Sequence, residues 1–367
     1  MADEQEQRLF PLPVLHGFCC DVLTHVGVPA TDATLVADSL TQADAAGQTG
    51  HGLVRLLPVY VRRLRQGTTK AVPQMRLIQQ RGATAVVDGG SGLGQVVGHW
   101  AMDIAVKLAR DNGVGLVAVR NSSHFGTASF FLKQALREHM IGVALTNAPS
   151  NMPPAGGKRP YFGTNPLCIG FPTSAEPPVI LDMSTSVVAR GKIVLMHLAG
   201  QKTIPEGWAI DEEGRPTTDP AAALRGAVLP VGGYKGAGLA MAVDILCGIL
   251  TGAAFGPHIV NLYDEGDRVQ NLGHLFAAVS VSFFGPAEEF ETRLDQMVRE
   301  VRSQPRQPGV DRIYVPGEVE HERAEKSARE GVPMSEAGVR EMEQLAQRVG
   351  VAGLVSRLEQ YMRGGAS

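Results

Sequence analysis

The sequence predicts a mixed α/β protein in which a helical lobe, drawn from both ends of the chain, stands beside a sheet-containing middle. Three observations lead there. Over roughly the first 65 residues, apolar side chains recur at helical spacing. From Met75 the texture changes to short β-branched runs punctuated by glycine turns. From Ser335 the tail returns to helical period through Val339, Met342, Leu345 and Val349.

The N-terminal helices are expected at 14–26, stopped by Gly27, at 33–45, capped by Thr31, and at 53–64. Residues 83–88 read as a strand, 89–94 as a turn and 99–112 as a helix. Strands follow at 114–119, 142–146, 168–171 and 179–181. The stretch 237–250 is nearly all small and apolar, which predicts a buried helix. Residues 257–267 are loop-like, 275–284 a strand, 290–302 a helix, and 304–316, with three prolines, an extended connection. Ser335 caps a helix reaching Val349, and a last helix covers 352–362. The expected division is therefore a helical lobe of residues 1–75 joined by the C-terminal helices of 305–367, and an α/β core over 76–304.

Composition narrows the function classes. A chain of 367 residues can bury a sizeable core, and a net charge of -3 without blocks of like charge offers no nucleic-acid footprint. Residues 1–7 are acidic and lack the basic and apolar regions of a secretory signal. The longest apolar stretch, 237–255, is interrupted by Asp244, Gly238, Gly248 and Gly252, so no membrane span is expected and the location reads as cytoplasmic. Cys19, Cys20, Cys168 and Cys247 match neither a zinc pattern nor a disulfide framework and read as small hydrophobes in a reducing compartment.

The most informative run is Pro230-Val231-Gly232-Gly233-Tyr234-Lys235-Gly236, one cation set among backbone nearly free of side chains. Glycines let an anion reach main-chain N–H groups, and the lysine adds a point charge, although a solvated glycine turn has the same composition. A second glycine turn, Gly90 to Gly98 between strand and helix, invites a dinucleotide fingerprint and fails on spacing. Neither Gly90-x-Gly92 nor Gly92-x-Gly94 has a glycine three residues on, and no acid closes the next strand.

Four further constellations carry chemistry. In Gly50-His51-Gly52-Leu53-Val54-Arg55, His51 and Arg55 share a face if helical, joining a group that titrates near neutrality to one that forks onto a carboxylate. Asn121-Ser122-Ser123-His124-Phe125-Gly126 puts a second histidine at a strand end. Phe162-Gly163-Thr164-Asn165-Pro166 offers a hydroxyl and an amide on a turn, and the strand ending Leu181-Asp182-Met183-Ser184 leads to Arg190-Gly191-Lys192. Singly, each is most simply a turn or cap residue. No metal site is expected, because His51 and His124 are far apart in sequence and no His-x-x-x-His or paired carboxylate joins them.

Taken together, these runs resemble the malate/L-lactate dehydrogenase family that is distinct from the Rossmann-type enzymes, which also holds sulfolactate, ureidoglycolate, diketogulonate and cyclic-imino-acid oxidoreductases. Gly214-Arg215-Pro216-Thr217-Thr218-Asp219-Pro220, Gly273-His274-Leu275-Phe276 and Val315-Pro316-Gly317-Glu318 extend the match, which runs in order from about residue 10 to 345. The resemblance implies a sulfolactate-dehydrogenase-like fold, a homodimer, and an NAD or NADP site built on a largely antiparallel sheet within the 76–304 core. It implies that His51 protonates the carbonyl or imine, that Arg55 holds the substrate carboxylate and that Thr164 lies against the substrate. Cofactor contacts would come from His124, Phe125, Gly126, Thr127, Ala128, Asp182, Met183, Ser184, Arg190, Gly191, Tyr234, Lys235, Pro316, Gly317 and Glu318. In some members the histidine matching His124 is the proton acceptor, which makes it the alternate catalytic base.

Two departures stand out. Many members carry Ser where this chain has Gly50, and the cyclic-imine reductases carry Asp where it has Lys192. The second departure favours open-chain 2-oxo or 2-hydroxy acids over cyclic imines such as piperideine- or pyrroline-2-carboxylate. A reading of another class, an inactive relative that binds without turnover, is opposed by the survival of His51, Arg55, Thr164 and Lys235 together. The expected chemistry is hydride exchange between nicotinamide C4 and substrate C2, coupled to proton exchange with an imidazole.

Overall fold

A computed structural model describes residues 7–364; residues 1–6 of the acidic opening stretch and residues 365–367 lie outside the described range. The chain opens with strand β1 (Gln7–Phe10) and helices α1 (Leu12–His25), α2 (Ala30–Ala45) and α3 (Leu53–Arg65). Pro29, not Thr31, precedes the first turn of α2, so the helix begins earlier than its Thr suggests. A proline just ahead of the first turn needs no N–H there and presets the chain direction.

The sheet follows. Strands β2 (Arg76–Arg81) and β3 (Thr84–Asp88) lead to α4 (Gly94–Asn112), β4 (Val114–Ser122), α5 (Ser129–Leu136), β5 (Met140–Thr146), β6 (Leu167–Phe171) and β7 (Val179–Met183). A satellite lobe comprises α6 (Arg190–Leu198), β8 (Ala209–Ile210), β9 (Pro216–Thr217), α7 (Pro220–Arg225) and β10 (Ala227–Val228). Next come α8 (Tyr234–Asp244), β11 (Leu272–Ser280), α9 (Ala287–Arg302), α10 (Glu318–Glu330), β12 (Val332–Ser335), α11 (Glu336–Val349) and α12 (Leu354–Gly364).

Seven strands form one sheet in the order β2-β3-β4-β11-β5-β6-β7. Only β3 and β4 run parallel, joined across α4, and every other neighbouring pair is antiparallel. β11, central and enclosed almost throughout, needs apolar side chains on both faces, which is why Leu272 to Val279 is nearly unbroken in hydrophobicity. The β3-α4-β4 unit also explains the failed fingerprint. A Cβ on Gly94 would lie 2.2 Å from the Ser123 carbonyl oxygen and 2.6 Å from that of His124, so this glycine serves the close packing of α4 against the backbone after β4.

Helices from both ends share one hydrophobic core, with Leu15, Phe18, Val36, Leu40, Leu53 and Leu57 packed in a cluster with Val339, Met342, Leu345 and Leu354. β1 pairs with β12, and Ser335 accepts from Gly338 N at the start of α11 as its cap position predicts. A second core lies between the sheet and helices α4 and α5.

The apolar stretch 237–250 departs from expectation. It is helical in α8 and continues as a π-helical turn (Ile245–Ile249), but only one face is buried, through Ala237, Ala240, Val243 and Cys247. Leu239, Met241, Ile245, Ile249 and Leu250 are 43 to 58% exposed. Apolarity all round a helix signals that both faces want cover, and within one chain only one face has it.

Candidate active site

His51 closes a single turn of 3-10 helix (Thr49–His51) immediately before α3. Its placement depends on Asp44 near the end of α2, whose carboxylate accepts from Leu53 N at 2.7 Å. Burial pushes the Asp44 carboxyl up to about 7, opposed by that hydrogen bond. Gly52 leaves room for this contact, since a Cβ there would sit 1.7 Å from Asp44 Oδ1. Gly50 is different: a Cβ would meet nothing within 4 Å, so the serine that relatives of the resembled kind carry would fit.

The fold brings His51 and His124 face to face. Their rings lie 5.9 Å apart and within 4° of parallel. Burial lowers the His51 pKa below its ordinary range, and the nearby Asp182 charge opposes that shift. Burial, with the His51 and His274 charges added, takes His124 down to about 3. The His51 ring makes no hydrogen bond among the described residues, whereas His124 is held on several sides. Its Nδ1 lies 2.8 Å from the Tyr60 hydroxyl and receives the Gly126 N–H at 3.4 Å, and its own backbone N–H donates to Gln270 Oε1 at 3.1 Å. His274, by contrast, is a core residue, with Nδ1 and Nε2 bonded to Thr146 and Ser122 and its ring stacked on Phe125.

Arg55, in the first turn of α3, holds its guanidinium 4.5 Å over the Tyr263 ring and pairs with no carboxylate among the described residues. A guanidinium held over an aromatic face by cation–π attraction leaves its N–H fork without a carboxylate partner and open to an anion. The loop carrying Tyr263 is tied to α3 by Arg62 Nη2 donating to Leu262 O and by Arg63 Nη2 donating to Arg268 O. Gln270, near the loop's end, accepts from His124. Sequence reading missed Asp44, Tyr60, Gln95, Tyr263 and Gln270; the one available signal was Tyr60 and Arg55 on the same helix as a histidine turn.

Most of the remaining predicted residues gather around the β7 edge of the sheet. Asp182 on β7 accepts from Ser129 N at 3.0 Å, which places it beside Ala128 and the start of α5. Burial raises its pKa, opposed by the Ser129 hydrogen bonds and by His51. Met183 ends β7, and Ser184 donates within its own turn to Ser186 O. The Thr164 carbonyl receives Thr185 N and Oγ1, and Val231 N donates to Thr185 O, so the Lys235 turn abuts the same segment. Pro316 O accepts from Ile180 N, bringing Pro316 and Gly317 alongside β7.

Three predicted contacts are otherwise engaged. The Phe125 side chain is buried among Phe131, His274 and Phe276, leaving only its backbone for a ligand. The Glu318 carboxylate is buried and ion-paired to Arg302 and Arg312, and it accepts from Val315 N. Arg190, at the start of α6 with Gly191, donates to Leu224 O at 2.6 Å within the satellite lobe. Thr127 is buried beside Gly126. Tyr234 is 72% exposed, and Lys235 next to it has no side-chain partner among the described residues. Those residues hold no cluster of three metal-ligating side chains and no helix long and apolar enough to cross a membrane.

A half-buried histidine pair, an acid near it and a guanidinium without a carboxylate partner among the described residues are groups able to exchange a proton and hold a small anion, beside a sheet that is not a Rossmann unit. Comparison with known proteins agrees with that class. The family model described as malate/L-lactate dehydrogenase matches residues 10–343, and the chain belongs to that family. It is 40% identical over 360 residues to the malate dehydrogenase of Pyrococcus horikoshii, covering 96% of this chain and 98% of the relative. The solved structure of that enzyme superposes with a TM-score of 0.88 at 37% identity, covering 96% of this chain and 98% of that one. The L-sulfolactate dehydrogenase of Methanocaldococcus jannaschii is 40% identical over 331 residues (90% of this chain, 94% of the relative). The NAD(+) ureidoglycolate dehydrogenase of Escherichia coli K12 is 36% identical over 318 residues (87% and 90%). Relatives of this kind are dehydrogenases, and a nicotinamide cofactor goes with them.

Proposed function

We propose that this protein interconverts small 2-oxo and 2-hydroxy carboxylates with NAD or NADP, using His51 for the proton and Arg55 for the carboxylate. The observation that carries this reading is the Arg55 fork, held over Tyr263 without an acidic partner among the described residues, on the helix that follows the His51 turn across Gly52. Arg55 is half-buried, and a substrate carboxylate would supply the counter-charge that it lacks among the described residues.

The residues present fit a dinucleotide. Lys235, in the first turn of α8, has no side-chain partner among the described residues and follows Gly232 and Gly233, whose φ of +59° and +63° leave the backbone uncovered for phosphate. Asp182, Met183 and Ser184 adjoin that turn, and Gly126 to Ala128 lie across from them beside Asp182. When bound, the nicotinamide supplies or accepts the hydride. His51 then gives a proton to the 2-oxygen during reduction and takes it back during oxidation. Arg55 holds the carboxylate so that one face of C2 is presented, and Thr164 lies against the substrate.

The half-covered helix supports a homodimer: Met241, Ile245 and Ile249 recur at fourfold spacing on the open face of α8 and its π-helical extension, next to the Lys235 turn. Sedimentation should give twice the monomer mass, and a monomer would remove this part of the reading. The three buried cysteines, all unpaired, suit a cytoplasmic setting. A panel of 2-oxo acids and cyclic imines, assayed with both reduced cofactors by loss of their absorbance, tests the whole. Turnover of open-chain 2-oxo acids is expected, and turnover of cyclic imines alone would overturn the substrate class.

A further inference from the structure

We propose that Tyr60 is a positioning residue that fixes the tautomer of His124, holding the ring proton on Nε2 so that His124 meets the substrate as a hydrogen-bond donor rather than as a base. The inference rests on the reading above for the identity of the reaction and on the hydrogen-bond geometry for everything else.

Tyr60 lies on α3, is only 3% exposed, and its oxygen has two polar neighbours. Gln95 Nε2 donates to it at 2.9 Å, and His124 Nδ1 lies 2.8 Å away. A phenol owns one proton. With the amide nitrogen spending a donor on the oxygen, that proton has only Nδ1 to go to. Gly126 N–H, 3.4 Å from the same nitrogen, is a second donor aimed at its lone pair. Nδ1 is therefore an acceptor, and in a neutral imidazole the proton then resides on Nε2.

The opposite arrangement fails on the same contacts. Turning the Gln95 amide over would let its oxygen take the phenol proton and would move the His124 proton to Nδ1, where it would face the Gly126 N–H donor to donor. Gly126 holds that pose with a φ of +78°, in the left-handed region that favours glycine, and a Cβ there would come within 3.0 Å of Ser39 Oγ. Nε2, meanwhile, has no acceptor among the described residues, so its N–H is free for a ligand oxygen. The two histidines thus divide the work: His124 polarises a substrate oxygen, and His51, whose ring nitrogens carry no hydrogen bond among the described residues, exchanges the proton. This also chooses between the two candidate bases that the sequence leaves open.

The test uses the full chain with 15N-labelled histidine rings, read by long-range proton–nitrogen correlation, with the His124 signals assigned by their loss in His124→Gln. In the wild type, His124 should show a protonated Nε2 and a bare Nδ1. Tyr60→Phe should turn this into a mixture of tautomers and lower kcat about 10-fold or more, with cofactor affinity unchanged, since a wrongly tautomerised imidazole loses its catalytic alignment. Gln95→Met should keep the wild-type tautomer, because the phenol proton still has His124 as its partner. A wild-type ring protonated on Nδ1 overturns the proposal, whether or not either variant folds, and so does a Tyr60→Phe protein with unaltered tautomer and kcat. Because the tautomer is read without substrate, a failure to reduce any 2-oxo acid would sink the proposed function and leave this result standing separately.

Discussion

The turn carrying His51 and the loop carrying His124 bring like side chains together, yet they are built in opposite ways. His51 stands on a short turn anchored by Asp44, and among the described residues its ring meets the parallel His124 ring and the field of Asp182 but no hydrogen-bond partner. His124 is gripped at Nδ1 by Tyr60 and Gly126 and at its backbone by Gln270. Both are shifted away from the charged form, but only His51 has an anion working to restore it. A histidine's task is set less by its exposure than by what its other nitrogen already holds.

The sharpest way to break this contrast is to remove each ring in turn. His51→Ala should lower kcat by about 10²-fold or more with cofactor affinity near wild type, the range general acid–base catalysis supplies. His124→Ala should weaken cofactor binding at least as much as it slows turnover, measured by nicotinamide fluorescence titration beside steady-state rates. An intact rate in the His51 variant would transfer the proton to His124 and undo the distinction.

Next in size are the two cations. Arg55→Lys keeps the charge but gives up the planar fork and its stacking on Tyr263, so kcat/KM should fall about 10-fold or more. Equal losses for a substrate analogue lacking the carboxylate would show that Arg55 is not a clamp. Lys235→Ala should raise the cofactor dissociation constant by roughly 10-fold or more, since a charge-assisted hydrogen bond contributes about 1.5–3 kcal/mol. Wild-type affinity should weaken with salt, and the variant more shallowly; equal slopes would return Lys235 to the solvent.

The smallest effect is electrostatic. Reduction needs a protonated His51, so its kcat/KM should decline as pH rises through a pKa lying below the ordinary 6.5. Asp182 opposes the lowering, and Asp182→Asn removes that opposition. The pKa should then drop further and the reduction limb move to lower pH. Oxidation, which needs the neutral ring, should stay active to lower pH by the same amount. A limb displaced upward in pH–rate profiles would mean that Asp182 does not act on His51.

Much of this architecture is legible locally. Helices α1 to α3, α9 and α11, and strands β3 to β7, follow from apolar period and turn residues, which operate over a few neighbouring positions. β2 is invisible that way because all six of its residues are exposed: its apolar residues, Leu77 and Ile78, are adjacent and flanked by Arg and Gln, so this edge strand carries no alternation. α5 and α10 were missed as well, one a short helix capped from a distant strand through Asp182 and the other strongly polar. At the site, the His51 and His124 motifs could be picked out one by one, but their partners could not. Tyr60 is 64 positions from the ring it holds, and nothing in α3 marks that one tyrosine as facing another segment's histidine.

From the sequence alone come the helical ends, the mixed middle, the failure of the glycine turn as a dinucleotide fingerprint and the family that the ordered motifs resemble, because each depends on residue types at short, fixed spacings. Tertiary structure alone decides that β11 runs between β4 and β5, that α8 keeps an open apolar face, that Arg55 lies on Tyr263 and that two distant histidines stack. Such contacts arise where packed layers meet, and which side chains meet is settled by how the whole core closes rather than by any one segment's pattern.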